Sequence, residues 1–321
     1  MTARTPGQGP THVYFDFFGT LVDYDPSVHP HERNAPHEFA LRAGFDVDGA
    51  TASVLWGQAW AELDGAAERS GRECSMHEIA AHYAEVLGEV GAEAATGGTP
   101  GAGDPGRTAA AARAGAAAGA GAATGAGAAT GAGAAAGAGA AVAPASGVDE
   151  RELDRLVTEY LDAWTANIRL ADGALACLKD LARDHTLAVV SNTHNAELVP
   201  RMLRRFGIDH FFTDVVTSID VGWRKPRPEI FFAALDTHGI DTGSAVFVGD
   251  NWAADIEGPR EIGMRAIYVG APTAGRFPVP LVEVPPLVRN GPGSPASASA
   301  SASASASVPA QYGTSCRYDR P

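Results

Sequence analysis

The spacing of hydrophobic and polar positions changes after the first apolar run of the chain. Residues 12–18 (HVYFDFF) form a short apolar run rich in β-forming residues that ends at a Gly-Thr turn, which predicts a strand. Apolar residues then recur at three- and four-residue spacing, which predicts amphipathic helices. We expect these helices over residues 35–43, 49–70, 75–90 and 148–167. A helical block therefore follows the first strand.

From residue 173 onward the pattern alternates between helix and strand. Continuous apolar runs predict strands over 186–190, 212–217, 245–248 and 266–269. Helical spacing predicts helices over 173–183, 196–206, 229–237 and 253–262. Apolar strands separated by helices indicate a parallel sheet covered on both faces. We predict an α/β fold: a Rossmann-like parallel sheet core, interrupted after its first strand by an inserted helical cap domain.

Two segments of biased composition accompany these elements. Residues 94–147 are almost entirely Ala and Gly with a repeated GAGAA pattern, and residues 288–321 contain an Ala-Ser repeat. Neither supplies enough apolar surface to offset the entropy lost on ordering, so both are predicted to be disordered. We assign the domains as a disordered N-terminus 1–11, a core over 12–24 and 170–287, and a cap over 25–169.

Charge and composition narrow the possible partners. The net charge is −14, and so acidic a surface repels nucleic acid and anionic membranes, neither of which is an expected partner. The first residues, MTARTPGQGPTH, have no apolar core typical of a signal peptide, so we expect a cytoplasmic protein. Cys74, Cys177 and Cys316 show no metal-type spacing. The oligomeric state stays open.

Polar side chains follow the predicted strands at the points where the strands end. Ligands of an open α/β sheet bind beyond the carboxyl ends of its strands. Two acidic groups, a hydroxyl and a lysine are expected to meet there, and the carboxylates need a divalent cation to coexist. The segments concerned begin with Asp16-Phe17-Phe18-Gly19-Thr20, Ser191-Asn192-Thr193, Arg224-Lys225-Pro226 and Gly249-Asp250-Asn251, the last leading to Asp255.

These four segments, in this order, resemble the four motifs of the haloacid dehalogenase-like hydrolase superfamily. FDFFGTLV resembles the first motif, VVSNT the second, GWRKPRPEIF the third and VFVGDNWAADIEG the fourth. The resemblance covers residues 12–270 apart from the Ala/Gly insert. One such motif alone would be weak, whereas all four in order at strand ends form a specific signal.

The resemblance implies a hydrolase, most simply a Mg²⁺-dependent phosphatase that cuts a small phosphorylated metabolite through an aspartyl-phosphate intermediate. Asp16 is the implied nucleophile, with Thr20 close by. Ser191, followed by Asn192, is implied to donate a hydrogen bond to a phosphoryl oxygen. Lys225 is implied to contact the same group, and a lysine is notable here because the chain has only two, the other being Lys179.

The resemblance also implies a metal site. Its Mg²⁺ ligands are the Asp16 carboxylate, the Phe18 backbone carbonyl and Asp250. Asp255 belongs to the same metal-binding loop, where it orients Lys225 or a metal-bound water. Simpler readings stay open: Asp16 and Asp250 as turn or helix-capping residues, Ser191 as a helix N-cap, and Asp255 as a solvated helical acid.

Phe18 departs from the phosphatase pattern. Phosphatases of the superfamily usually carry a second Asp at this position, which protonates the leaving alcohol; a phenyl ring cannot. Three interpretations follow: the substrate has a good leaving group, another residue supplies the proton, or the protein is a weak catalyst or none. The candidates for another proton donor are Asp23, Asp25, His29, His31 and His37.

Two alternatives to a phosphatase also remain. The 2-haloacid dehalogenases of the superfamily have an aromatic residue where this chain has Phe18, but they need no metal and usually lack an acid at the position of Asp250. A non-catalytic ligand-binding protein could keep the fold and the metal site. A phosphonate-cleaving enzyme is disfavoured because it needs a lysine in the cap, and Lys179 is predicted to lie in the core.

The composition of residues 94–147 generates a prediction about stability. Replacing this segment with a short Gly/Ser linker should leave the melting temperature nearly unchanged, because a segment without large apolar residues adds little to a core. Differential scanning calorimetry of the two proteins measures this. A fall of more than about 5 °C would show that the segment packs against the rest of the protein.

Overall fold

A computed structural model describes residues 9–24, 34–95 and 148–290, and these residues include seven short strands. They are β1 (His12–Phe15), β2 (Val22–Tyr24), β3 (Ile168–Leu170), β4 (Thr186–Ser191), β5 (Phe212–Thr217), β6 (Ala245–Gly249) and β7 (Arg265–Tyr268). Five of them form one parallel sheet in the order β5-β4-β1-β6-β7. The remaining two, β2 and β3, pair as an antiparallel ribbon.

The first strand occupies the centre of the sheet. His12 is level with Thr186 of β4 on one side and Ala245 of β6 on the other. Because all five strands run the same way, the segments that follow β1, β4, β5 and β6 lie along one edge. The end of β1 is at the middle of that edge.

Some of the helices cover both faces of the sheet, and the others form a separate helical block. In chain order they are α1 (Ala35–Arg42), α2 (Gly49–Ser70), α3 (Met76–Ala95), α4 (Glu150–Thr165), α5 (Ala174–Leu181), α6 (Leu198–Arg205), α7 (Ser218–Val221), α8 (Pro228–His238), α9 (Gly258–Glu261) and α10 (Val284–Asn290). A π-helical turn covers Trp252–Glu257 directly before α9.

Alternation along the strands divides the core into two layers. Val13 and Phe15 of β1 face a cluster that includes residues of α5, α6 and α10, whereas Tyr14 faces a cluster that includes α8. Each strand residue thus points opposite to its neighbours, as the two-residue period of a strand requires. Both faces are buried, which explains why the strand sequences are apolar throughout.

Helices α1 to α4 form the helical cap, which the chain enters after β2 and leaves before β3. Its interior is aromatic: the Trp56 ring lies 5.4 Å from that of Tyr83 and 4.8 Å from that of Tyr160, measured between centroids. The Tyr83 hydroxyl donates to the Pro36 carbonyl at 3.1 Å. Side-chain caps define the helix starts, since Asn34 and Asp48 accept from backbone amides in the first turns of α1 and α2.

The predicted fold class and the five strands of the parallel sheet are confirmed, with differences in detail. The first strand ends at Phe15 rather than continuing to Phe18, because the Leu21 amide bonds back to the Phe17 carbonyl and Gly19 adopts φ +78°. The helix predicted over 253–262 is a π-helical turn followed by α9. The β2–β3 ribbon was not predicted because three-residue strands show no readable period.

Parts of the predicted domain division fall outside the described residues. These parts are residues 1–8, residues 25–33 of the predicted cap, most of the Ala/Gly insert and the tail beyond residue 290. Helix α3 extends two residues into the predicted insert, and α10 extends three residues into the predicted tail, where Val288 is fully buried. Crossing a bilayer needs a longer apolar helix than any found among the described residues.

Candidate active site

Asp16 lies directly beyond the central strand. Its amide donates to the Val248 carbonyl of β6 at 2.9 Å, which ties it to the neighbouring strand end. Its side chain is buried. The chain then turns at Gly19, and the hydroxyl of the next residue, Thr20, donates to Asp250 Oδ1 at 3.1 Å. The turn after β1 and the loop after β6 are therefore joined through their side chains.

Three carboxylates meet at this point. Oxygens of Asp16, Asp250 and Asp255 lie within 4.8 Å of one another, and all three side chains are largely or fully shielded from water. Burial raises the pKa of Asp250 to about 8, and the charges of Asp16 and Asp255 add to this effect. Burial likewise raises the pKa of Asp255 to about 6, although Lys225 opposes the rise. The three carboxylates repel one another, and each is stable in its ionised form only with positive charge nearby.

Lys225 is the one buried ammonium group found among these carboxylates in the described residues. Its Nζ lies 2.7 Å from Asp16 Oδ1 and 2.7 Å from Asp255 Oδ1, and its side chain is 2% exposed. Burial would lower the pKa of this lysine, but the two carboxylates outweigh burial and raise it. Lys225 is therefore charged at physiological pH, and three carboxylates share one cation.

The loop after β4 is joined to the backbone of Lys225. The Asn192 side chain accepts from the Lys225 amide at 2.8 Å and donates to the Lys225 carbonyl at 3.1 Å. Ser191, the last residue of β4, is fully buried. The structure thus brings Ser191, Asn192 and Lys225 to the same sheet edge as Asp16.

The simpler readings of the polar residues are not supported by this geometry. Helix α6 begins at Leu198, so Ser191 is not its N-cap. The π-helical turn is capped by Asn251, so Asp250 is not a capping residue. Asp255 is 1% exposed, and its second oxygen accepts from the Asn251 amide at 2.9 Å, so it is not a solvated helical acid.

Two glycines allow the carboxylates to approach the backbone. A Cβ atom at Gly19 would overlap the Asp250 carboxylate, and one at Gly249 would overlap the Asp255 side chain. Gly19 also has φ +78°, which other residues rarely adopt. The glycines of the first and fourth motifs are therefore required by the packing of the acidic groups.

The donor set suits a hard divalent cation. Carboxylate oxygens are the ligands that Mg²⁺ prefers, and no His or Cys side chain belongs to this group in the described part of the chain. Burial and the charges of Asp16 and Asp255 raise the pKa of Asp250, so a cation bound beside its carboxylate would stabilise the ionised form. Both Asp255 oxygens already accept hydrogen bonds, from Lys225 and from the Asn251 amide, so Asp16 and Asp250 are better placed to bind a metal.

Phe18 lies beside an aromatic residue of the cap. Its ring is 5.3 Å from that of Trp164, with the two planes at 61°. Of the five proposed proton donors, Asp25, His29 and His31 lie outside the described residues. Asp23 forms an ion pair with Arg169 of β3 at 3.5 Å, and the backbone of His37 bonds to Asn34. The Phe18 ring is thus bordered by the rings of Trp164 and Phe17, the latter at 4.9 Å.

A set of charged residues that the sequence pattern did not indicate borders this site. His194 follows Asn192 by two residues, and Arg224 directly precedes Lys225. Both form ion pairs with Asp64 and Glu73 of the cap. Their position next to predicted site residues was a usable signal. Their cap partners gave none, because neither an acid within a helix, such as Asp64, nor one in a turn, such as Glu73, shows in the sequence what it contacts.

Comparison with known proteins gives consistent matches. The model for haloacid dehalogenase-like hydrolases matches residues 140–269. The chain is 36% identical over 107 residues to human haloacid dehalogenase-like hydrolase domain-containing protein 3, covering 33% of this chain and 42% of that protein. It is 38% identical over 113 residues to a glyceraldehyde 3-phosphate phosphatase of Methanothermobacter thermautotrophicus, covering 35% and 50%. The chain thus spans half or less of these two curated relatives.

Among solved structures, a 2-haloacid dehalogenase of Pseudomonas syringae is 20% identical with a TM-score of 0.49, covering 87% of this chain and 98% of that one.

The raised pKa of Asp250 predicts how stability depends on pH without a divalent cation. Between its unfolded pKa of 3.8 and its folded pKa of about 8, the folded protein binds this proton more tightly than the unfolded chain does. The contribution of Asp250 to the free energy of unfolding therefore decreases as pH rises through this window.

Melting temperatures in EDTA from about pH 5 to about pH 8 measure this decrease. Asp250→Asn removes the titrating group and should flatten the dependence of the melting temperature on pH. Mg²⁺ should raise the wild-type melting temperature most at the high-pH end of this range. Identical profiles for the two proteins would contradict the prediction.

Proposed function

We propose that this chain, which belongs to the haloacid dehalogenase-like hydrolase superfamily, is a Mg²⁺-dependent phosphatase that hydrolyses a small phosphorylated molecule. The observation that carries the proposal is the position of Asp16: at the end of the central strand, within one group of buried carboxylates and held by one buried ammonium. The match to a glyceraldehyde 3-phosphate phosphatase supports a phosphorylated substrate.

Asp16 is the nucleophile of this proposal. One of its carboxylate oxygens attacks phosphorus, the bond from phosphorus to the leaving oxygen breaks, and an aspartyl phosphate forms on Asp16. Water then attacks the same phosphorus, which releases phosphate and restores the carboxylate. The 2.7 Å contact from Lys225 to Oδ1 holds the carboxylate in one orientation, which reduces the entropy lost on reaching the attacking geometry.

The metal ligands of the proposal are the carboxylates of Asp16 and Asp250 and the backbone carbonyl of Phe18. A bound Mg²⁺ supplies the positive charge that lets a phosphate approach a carboxylate. Thr20 orients Asp250 through its hydrogen bond at 3.1 Å. Asp255 holds Lys225 at 2.7 Å and completes the site without binding the metal directly.

The phosphoryl group is recognised by the remaining residues at the sheet edge. Lys225 offsets the negative charge of the phosphoryl oxygens, and Ser191 donates a hydrogen bond to one of them. Asn192 contributes by holding the backbone of Lys225 on both sides, at 2.8 and 3.1 Å. A phosphate can therefore be bound at an otherwise acidic surface.

Phe18 restricts the choice of substrate. No acid is present at this position to protonate a leaving alcohol, and the Trp164 ring lies beside it. We therefore infer a substrate whose leaving group departs without a proton, such as an acyl phosphate or an ester of an acidic alcohol.

Metal dependence tests the proposed function directly. The purified protein should hydrolyse p-nitrophenyl phosphate, lose this activity in EDTA and regain it with Mg²⁺, because Asp16 and Asp250 cannot both approach a phosphate without a cation. Phosphate release at fixed substrate concentration is the measurement. Asp16→Asn should abolish turnover with both metal and substrate present, since an amide is a poor nucleophile.

Other outcomes of the same assay identify the alternatives. A metal-independent dehalogenase would release halide from a 2-haloacid and ignore EDTA. Mg²⁺ binding without turnover of any phosphate or haloacid would favour a ligand-binding protein. Asp16→Asn activity within a few-fold of wild type would exclude Asp16 as the nucleophile.

Leaving-group dependence tests the role of Phe18. Wild-type rates should fall steeply as the leaving alcohol becomes more basic, and Phe18→Asp should raise the rate on alkyl phosphates by up to about 10²–10⁴-fold because it supplies a proton donor. Rates over a series of aryl and alkyl phosphates give the slope. Phe18→Leu is the matched control: it removes the ring without adding an acid and should leave the slope steep. Ordinary wild-type rates on alkyl phosphates would show that another residue donates the proton.

A further inference from the structure

Four charged side chains form a second cluster where the cap meets the core. We call Asp64, Glu73, His194 and Arg224 the junction cluster; the first two belong to the cap and the last two to the core. Glu73 lies in segment 71–76, which connects α2 to α3, and its side chain is fully buried. The cluster pairs two acids with two bases and is therefore neutral in net charge.

His194 is an imidazolium in this cluster. Its Nδ1 lies 3.0 Å from Glu73 Oε1 and its Nε2 lies 3.3 Å from Asp64 Oδ1. The Cys74 carbonyl oxygen also lies 2.9 Å from Nδ1, and carbonyl and carboxylate oxygens only accept hydrogen bonds, so a ring that serves all three oxygens carries a proton on each nitrogen. Burial would lower its pKa, but the hydrogen bonds with Asp64, Cys74 and Glu73 raise it to about 12.

The positive charges of this cluster disfavour a metal site. Glu73, Cys74 and His194 have potential ligand atoms within 4.8 Å of one another. A ring nitrogen that carries a proton has no lone pair for a metal, and Arg224 already supplies a second positive charge, 3.6 Å from Glu73 and 2.7 Å from Asp64. The arrangement is that of a buried ion-pair network.

Segment 71–76 is bonded to both loops that carry site residues. The Met76 amide donates to the carbonyl of His194, in the loop after β4, at 2.7 Å. The Glu73 amide donates to the Gly222 carbonyl at 3.2 Å, and the Arg224 amide donates to the Gly71 carbonyl at 2.9 Å, which reaches the loop after β5.

The Glu73 carboxylate joins the same two loops through side chains. It accepts from Ser218 at 2.5 Å while pairing with His194, and the Ser218 hydroxyl in turn accepts from the Thr193 amide at 2.9 Å. Asn192, next to Thr193, bonds both sides of the Lys225 backbone. A continuous set of short contacts therefore leads from Glu73 to Lys225.

We propose that Glu73 is a positioning residue: from the cap, it fixes the loops that carry Asn192 and Lys225, so that the Lys225 ammonium is in place only while segment 71–76 is docked on the core. Glu73 contacts these loops through His194, Ser218 and Arg224. The inference rests on the proposed function as far as it concerns the rate, but the position of Lys225 can be measured without turnover.

The test uses Glu73→Gln in the full chain, an almost isosteric change that removes the charge facing His194. Lys225 and Lys179 are the only lysines, and Lys179 is exposed on α5, so it is an internal reference for amine labelling. In wild type, Lys225 should label far more slowly than Lys179. In Glu73→Gln, the labelling of Lys225 relative to Lys179, measured by mass spectrometry with acetic anhydride, should rise at least several-fold.

The kinetic arm measures p-nitrophenyl phosphate hydrolysis. Glu73→Gln should lower kcat by about 10–100-fold with little change in KM, because a small displacement of a catalytic group impairs the chemical step. Asp162→Asn is the matched control. Asp162 of α4 pairs with Arg201 of α6 at 2.7 Å. The substitution therefore also removes an ion pair between cap and core, but at an exposed place away from the two loops. It should change neither readout.

Each outcome decides a separate point. Lys225 labelling and kcat equal to those of Asp162→Asn would overturn the inference, as would increased labelling with kcat unchanged. If Glu73→Gln does not fold, Ser218→Ala removes a Glu73 partner more gently and should produce the same two changes to a smaller degree. If wild type hydrolyses no phosphate, the proposed function fails, and the labelling still determines whether Glu73 positions Lys225.

Discussion

The buried ammonium of Lys225 is the interaction on which the arrangement of the site depends. A charge withdrawn from water is tolerated only when it is paired, and Lys225 meets this condition through Asp16 and Asp255, each at 2.7 Å. Removing one partner of such a group costs about 3–5 kcal/mol. Three separate parts of the chain, following β1, β5 and β6, must therefore meet at one point for the protein to be stable.

The same constraint leaves the site short of positive charge. One ammonium faces three carboxylates, and glycines at positions 19 and 249 bring two of these acids against the backbone. Tighter neutralisation by a second lysine or arginine would stabilise the free protein but would occupy the space and charge that a cation and a phosphate need. The pKa of Asp250 is raised as a consequence, so the ionised carboxylate destabilises the folded protein when no cation is bound.

The sequence allowed the sheet and most of the site to be predicted because both follow from local pattern. Apolar runs indicate the strands, and parallel strands bring their carboxyl ends together, so Asp16, Ser191, Lys225 and Asp250 could be assigned to one edge. The partners of His194 could not, because Asp64 and Glu73 are more than a hundred residues earlier and meet it only through tertiary packing. The contact of Phe18 with Trp164 was hidden for the same reason.

The central position of β1 has a consequence for how the chain is made. This strand leaves the ribosome first, yet both strands that flank it, β4 and β6, are synthesised only after the whole cap and the Ala/Gly segment. A four-residue apolar strand, with Asp16 after it, must therefore wait without its neighbours. Pairings so distant in sequence form slowly and expose strand edges to aggregation.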